Sequence, residues 1–119
     1  MSVFAPSTVD RLPIQTADGE QWIEVRHRLN AGEYEAMFEE WYDDQNRFHP
    51  SRVRRVKVAA YLVAWSLTED GQPVPITADA LKALELPVFK AIADAVEAHE
   101  EKSEAEAAIT KNDPAGVAA

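Results

Sequence analysis

AYLVAWSLTEDGQPVPIT, residues 60–77, sets the most hydrophobic run of the chain beside an acidic turn with two prolines. How its first half folds decides how everything else can pack. Val53, Val56, Ala60, Val63 and Leu67 recur at helical spacing, and Val58, Tyr61, Leu62 and Trp65 form a second stripe. The pattern predicts a central helix over residues 52–67. A helix apolar nearly all round is buried, or lends one face to a partner. Thr68-Glu69-Asp70-Gly71 then stops it, with Gly71 suited to the left-handed position after a helix. Pro73 and Pro75 keep the following residues extended.

Upstream, RLPIQTADGEQWIEVR reads as a β-hairpin. Asp18-Gly19 suits a two-residue turn with positive φ at both central positions. Setting Ala17 opposite Glu20 puts Leu12, Ile14, Ile23 and Val25 on one face, and Pro13 requires an edge strand. The hairpin's apolar face then needs helices to cover it. LNAGEYEAMFEEWYDDQ follows, with Asn30 as cap. Tyr34, Met37, Phe38 and Trp41 give an amphipathic helix of about three turns. Phe48-His49-Pro50-Ser51 breaks it.

Downstream, Thr77 caps a short helix over residues 78–84, with Ile76 and Leu81 placed as a hydrophobic staple. Pro87 opens a last helix, whose stripe is Phe89, Ile92, Val96 and His99. The expected fold is α+β and mostly α: an N-terminal β-hairpin packed on a bundle of about four helices. The expected organisation is a flexible start over residues 1–8, one domain over 9–102, and a helix extension with a disordered acidic tail over 103–119.

Composition narrows the function classes. The 119 residues fit one domain, and 46% hydrophobic content argues against wholesale disorder. Cysteine is absent, which rules out disulfides and thiolate metal sites. The longest apolar run, residues 58–65, is far shorter than the ~20 residues of a membrane span. The N-terminus has no secretory pattern. Net charge is −9, with −2 in residues 1–60 and −7 in residues 61–119. Such an acidic half repels phosphate, so non-specific nucleic-acid binding is not expected.

No catalytic constellation stands out. Glu39, Glu40, Asp43 and Asp44 could hold a divalent cation, but no second ligand set or EF-hand loop accompanies them, and a solvated helix face is the expectation. His27, His49 and His99 are scattered, with no nucleophile motif nearby. Arg52, Arg54, Arg55 and Lys57 sit at a helix start, against the macrodipole, and so call for acidic partners. The acidic helix before them is the expected partner. Neither a catalytic residue, a metal ligand nor a cofactor is assigned.

Two segments carry a resemblance. DGEQWIEVRHRLNAGEYE, residues 18–35, pairs an acidic-Gly turn and strand with a Leu and a Gly-Glu. KVAAYLVAWSLTEDGQPVPITADALKALELPVFKAIADAVEAH, residues 57–99, runs from an apolar helix through an acidic-Gly turn and two prolines to a Thr-capped helix and a closing helix. Together they resemble small tail assembly chaperones of long-tailed phages and prophages. The resemblance implies a non-enzymatic role in the bacterial host cytoplasm. Its partners would be the tape measure protein, a long aggregation-prone helical rod, and the tail tube protein.

On that expectation the partner surface is Tyr61, Leu62 and Trp65 with Phe89, Ile92 and Val96, acting as core and groove. Phe38 and Trp41 are further contact candidates. Oligomeric state stays open. Other readings are a different phage morphogenesis or virion protein, a small metal enzyme using the Glu39–Asp44 cluster, and an acidic mimic of nucleic acid. The mimic would use Asp94, Glu97, Glu100, Glu101, Glu104 and Glu106.

Overall fold

The N-terminal hairpin turns one step earlier than its Asp-Gly pair suggests. The computed structural model describes residues 8–111, with side chains through residue 108. Strand β1 (Val9–Thr16) pairs antiparallel with β2 (Gly19–Arg26), setting Thr16 opposite Gly19 and Leu12 opposite Ile23. Of Ala17, Asp18 and Gly19, only Gly19 has a positive φ, +107°. A turn closed by a left-handed glycine needs just that one residue there, whereas the mirror-image turn would also force Asp18 into the left-handed region. The pairing therefore slides by two residues from the expected register. Side chains alternate with period two, so the slide leaves every residue on its expected face. Ile14, Ile23 and Val25 are buried, and Pro13 lies on the edge strand, where its missing N–H costs no ladder bond.

The expected central helix ends six residues early. Helix α2 spans Pro50–Tyr61, with His49 as N-cap and Pro50 in the first helical position. The chain then passes directly into strand β3 (Leu62–Trp65), which adds to the free edge of β2 in the order β1-β2-β3. Val25 faces Leu62, Glu24 faces Ala64 and Ile23 faces Trp65, so Val63 is an extra residue, a β-bulge. The bulge turns Leu62 and Trp65 to the same inner face and leaves Val63 44% exposed. Inward residues three apart imitate the i, i+3 spacing of a helix, which is why the pattern of residues 52–67 reads as helical throughout.

Asp70-Gly71 is a hairpin turn rather than a helix stop. Both residues have positive φ, +50° and +78°, the requirement of a mirror-image two-residue turn. They join β4 (Thr68–Glu69) to β5 (Gln72–Pro73). The Trp65 indole N–H donates to the Val74 carbonyl at 2.6 Å and ties this small hairpin to the core.

Helix α1 (Ala31–Glu39) begins with a full capping box. Asn30 Oδ1 accepts from the Glu33 amide, and Glu33 Oε1 accepts from the Asn30 amide. Thr77 caps α3 (Ala78–Ala83) in the expected way, accepting from the Ala80 amide. Helix α4 (Leu86–Lys111) packs on β1 and beside α2. Its Ile92, Ala93 and Val96 are fully buried against Ile14, Ile23, Val25 and Leu62. The boundary expected after residue 102 falls inside this helix, and residues 112–119 of the expected tail lie outside the described residues.

Charges lace α2 to α4. Arg54 binds Asp94 and Glu97, and Lys57 binds Glu100 at 2.9 Å. Two cations of the basic cluster, Arg54 and Lys57, thus pair with the last helix and not with the acidic helix before it, because α4 runs alongside this face of α2. The Arg54 hydrogen bond holds the Glu97 carboxyl below the usual carboxylate range. Burial, reinforced by Glu100 and Glu104, pushes the neighbouring Tyr61 phenol up to about 12.

The bulged strand makes a direct prediction. Leu62→Ala should cost about 2–5 kcal/mol of unfolding free energy, as a buried truncation does. Val63→Ala should cost under about 1 kcal/mol, since the side chain is half in water. Urea denaturation of the two variants checks this, and a helix through residue 67 would instead make Val63 the costly position.

Candidate functional site

Two places on the molecule concentrate chemistry. The first is a cleft of about 500 Å³ between the hairpin and α4, bordered by Asp10, His27, His99, Ser103 and Glu106. The two-residue slide of the hairpin puts Asp10 opposite Val25, on the inner face toward α4. His27 Nδ1 lies 2.6 Å from Asp10 Oδ2, and its Nε2 lies 3.3 Å from Glu106 Oε2. Arg28 reaches the same Glu106 oxygen at 3.7 Å. His99 Nε2 sits 3.0 Å from the Arg26 carbonyl and 3.1 Å from the His27 carbonyl, and Ser103 Oγ donates to the His27 carbonyl at 2.7 Å.

These residue types suggest either a metal centre or a hydrolytic triad, and the geometry supports neither. Asp10, His27 and His99 bring their donor atoms within 4.8 Å of one another. A metal-binding imidazole nitrogen must be unprotonated. His99 Nε2, however, faces two carbonyl oxygens, which only accept, so that nitrogen carries a proton. A serine nucleophile needs its hydroxyl on the imidazole of its base. Ser103 instead donates to a backbone carbonyl. The cluster is a hydrogen-bonded clasp that closes β1 and the end of β2 onto α4. His99, the buried ring of the expected apolar stripe, serves the backbone as much as the core.

The second place is an aromatic cluster on α1 and the turn after it. Tyr34, Met37, Phe38 and Trp41 are the apolar face of the expected amphipathic helix, and of them only Met37 is buried. Tyr34 is 55% exposed, Phe38 42% and Phe48 49%. Phe38 touches Trp41 and Tyr42, with ring centroids 5.3 and 5.5 Å apart. Phe48 touches Tyr42 and Trp41 at 5.6 and 6.4 Å. None of these rings joins the main core cluster. The cause is placement: α1 packs mainly on α2, outside the layer where α4 meets the sheet.

Asp43 holds the turn that presents these rings. Its carboxylate accepts from the Gln45 and Arg47 amides and from His49 Nε2 at 2.8–2.9 Å. A backbone bridge joins Tyr42 to Phe48, and Asn46 takes the left-handed conformation at φ +60°. The His49 contact, then the Arg47 amide, keeps the Asp43 carboxyl below its ordinary value.

The residues expected to meet a partner divide between core and surface. Tyr61, Leu62, Trp65, Ile92 and Val96 are each 8% exposed or less, and Phe89 is half-buried against them. They form the core and offer no groove, because α4 lies across the inner face of the sheet. Phe38 and Trp41 belong to the aromatic cluster. Tyr42 and Phe48 complete it; a bridge across a five-residue turn has no helical or strand period to reveal it. The clasp was equally hidden, since His27 and His99 are distant in sequence.

The carboxylates of the nucleic-acid-mimic reading are partly spent. Asp94, Glu97, Glu100 and Glu106 all engage cations of this chain, while Glu101 and Glu104 are exposed. No helix is long and apolar enough to cross a membrane among the described residues. No family model, curated protein or solved structure matches the chain.

Two measurements check these assignments. Ser103→Ala should lower stability by about 1 kcal/mol in urea denaturation, the net worth of a buried hydrogen bond. The Asp43 effect has a definite sign. A carboxyl depressed in the folded state contributes above its unfolded value near pH 4 and loses that contribution as pH falls through the folded value. The Gln45 and Arg47 amide resonances should therefore shift as pH drops below about 4, and should not titrate there in Asp43→Asn.

Proposed function

We propose that this protein is a non-enzymatic assembly chaperone of the phage-tail kind, keeping a tape measure protein soluble in the host cytoplasm and aiding tail tube assembly. The aromatic cluster, with Phe38 and Phe48 exposed and Trp41 and Tyr42 half-buried beneath them, carries this reading. Large aromatic rings grouped at a surface are favoured anchors for a protein partner. The clasp, the other concentration of reactive side chains, is engaged in holding α4 to the sheet. The resemblance of residues 18–35 and 57–99 to tail assembly chaperones names the kind of partner. The acidic excess of the chain suits a protein that must keep an apolar client dispersed.

This reading moves the contact surface from the one the hydrophobic segment suggested. The Tyr61–Trp65 run supports the fold, and the α1 aromatic cluster meets the client. Co-expression tests it. A tape measure protein that is this chain's client should be soluble with the parent chain and largely insoluble alone. Phe38→Asp with Phe48→Asp should return most of it to the pellet, while the variant itself stays soluble and folded. A tape measure protein equally soluble with and without this chain would remove the chaperone role. Full rescue by the double variant would remove the surface.

A further inference from the structure

We infer that the aromatic cluster on α1 is a docking platform for a basic amphipathic helix of a partner protein. The inference rests on the protein-binding reading above and adds the chemistry of what binds.

The shape comes first. Tyr34 and Phe38 are one turn apart on α1, and Trp41 and Tyr42 follow just past its last turn. Tyr34 and Phe38 stand about 6 Å apart along the helix at 1.5 Å per residue, and the contacts of Phe38 with Trp41 and Tyr42 carry the ridge past the helix end. A helix laid along such a ridge meets it with side chains at i, i+3, i+4 and i+7. Phe48 folds back across Tyr42 and Trp41 and widens the ridge into a platform.

Charge then selects the partner. Glu35, Glu39, Glu40 and Asp44 flank these rings, and none forms an ion pair among the described residues. Glu33 is taken by Arg26 and Asp43 by His49. Arg47, Arg52 and Arg55 lie on or near the same turn, and Arg52 and Arg55 line one depression with Glu39 and Glu40, so three cations stand against four carboxylates and leave one net negative charge. The balance around the rings stays acidic. Apolar rings inside a rim of unpaired carboxylates match a helix with an aliphatic stripe flanked by Lys or Arg. The same cations can lie over ring faces, as Arg11 lies over Trp22 elsewhere on this molecule at 3.8 Å. An acidic or neutral helix would leave the rim carboxylates facing like charge or nothing.

Preorganisation completes the case. The Asp43 hydrogen bonds and the Tyr42–Phe48 bridge set the turn before any partner arrives. Less ordering is then paid on binding.

Two synthetic helical peptides of equal length and identical leucine stripe, one with lysine on the polar face and one with glutamate, test this against the full chain by calorimetry. The lysine peptide should bind, and the glutamate peptide should bind at least about tenfold more weakly. Phe38→Ser with Phe48→Ser, which leaves the charge unchanged, should weaken the lysine peptide about tenfold or more. Tyr34→Ser, at the most exposed ring of the ridge, should weaken it severalfold and serves if the double variant loses its fold. Equal binding of both peptides overturns the charge assignment. Unchanged lysine-peptide binding in the folded aromatic variants overturns the platform, and so does no binding of either peptide. A lysine peptide that binds as expected while tape measure solubility is indifferent to this chain supports the platform and removes only the chaperone role. Tape measure rescue abolished by the aromatic variants, with neither peptide binding, keeps the role and removes the basic-helix partner.

Discussion

Strand β2 is the middle of the sheet, and it has two partners because the chain changes from helix to strand at Leu62. A lone hairpin is marginal in water, and β2 would otherwise show an open row of N–H and C=O groups. The third strand closes that edge. It also delivers Leu62 and Trp65 to the inner face, where α4 covers them together with Ile14, Ile23 and Val25. The bulge at Val63 allows both, because without it Leu62 and Trp65 would point to opposite faces. The ion pairs of Arg54 and Lys57 with α4 and the clasp of His27, His99 and Ser103 lock the arrangement at its sides.

This packing decides what remains for function. The most hydrophobic segment is consumed by the core, so its apolar character says nothing about a partner. The aromatic residues left over belong to α1 and the turn behind it, which lie outside the α4–sheet layer. Their exposure has a simple origin. The inner face of α1 holds one buried side chain, Met37, and α2 is too polar along its outer face to cover the rest. A partner helix would supply the missing layer.

Local chemistry was legible in the amino-acid sequence, and its long-range consequences were less so. The Asn30 and Thr77 caps, the break at Pro50, the edge position of Pro13 and the inner face of the hairpin all follow from neighbouring residues. Helix against strand at 62–65 did not, because a bulge gives inward residues the spacing of a helix. Asp70-Gly71 carried the same hairpin signal as Asp18-Gly19, but a helix expected before it disguised the pair as a helix stop. The acidic partners of Arg54 and Lys57 lie about forty residues on. Periodicity marked Tyr34, Met37, Phe38 and Trp41 as one face without saying what lies on it, because an amphipathic pattern shows that a face is apolar and not what covers it.

The conformation of residues 58–67 bears most directly on this account. Nuclear Overhauser contacts from the free protein in solution would report it. The account predicts cross-strand backbone contacts between Val25 and Leu62 and between Ile23 and Trp65, with Val63 slipping out of the ladder. Continuous helical i to i+3 contacts from Val58 to Leu67 would contradict it. The sheet would then lose its third strand, and Tyr61, Leu62 and Trp65 would again be candidates for the partner surface.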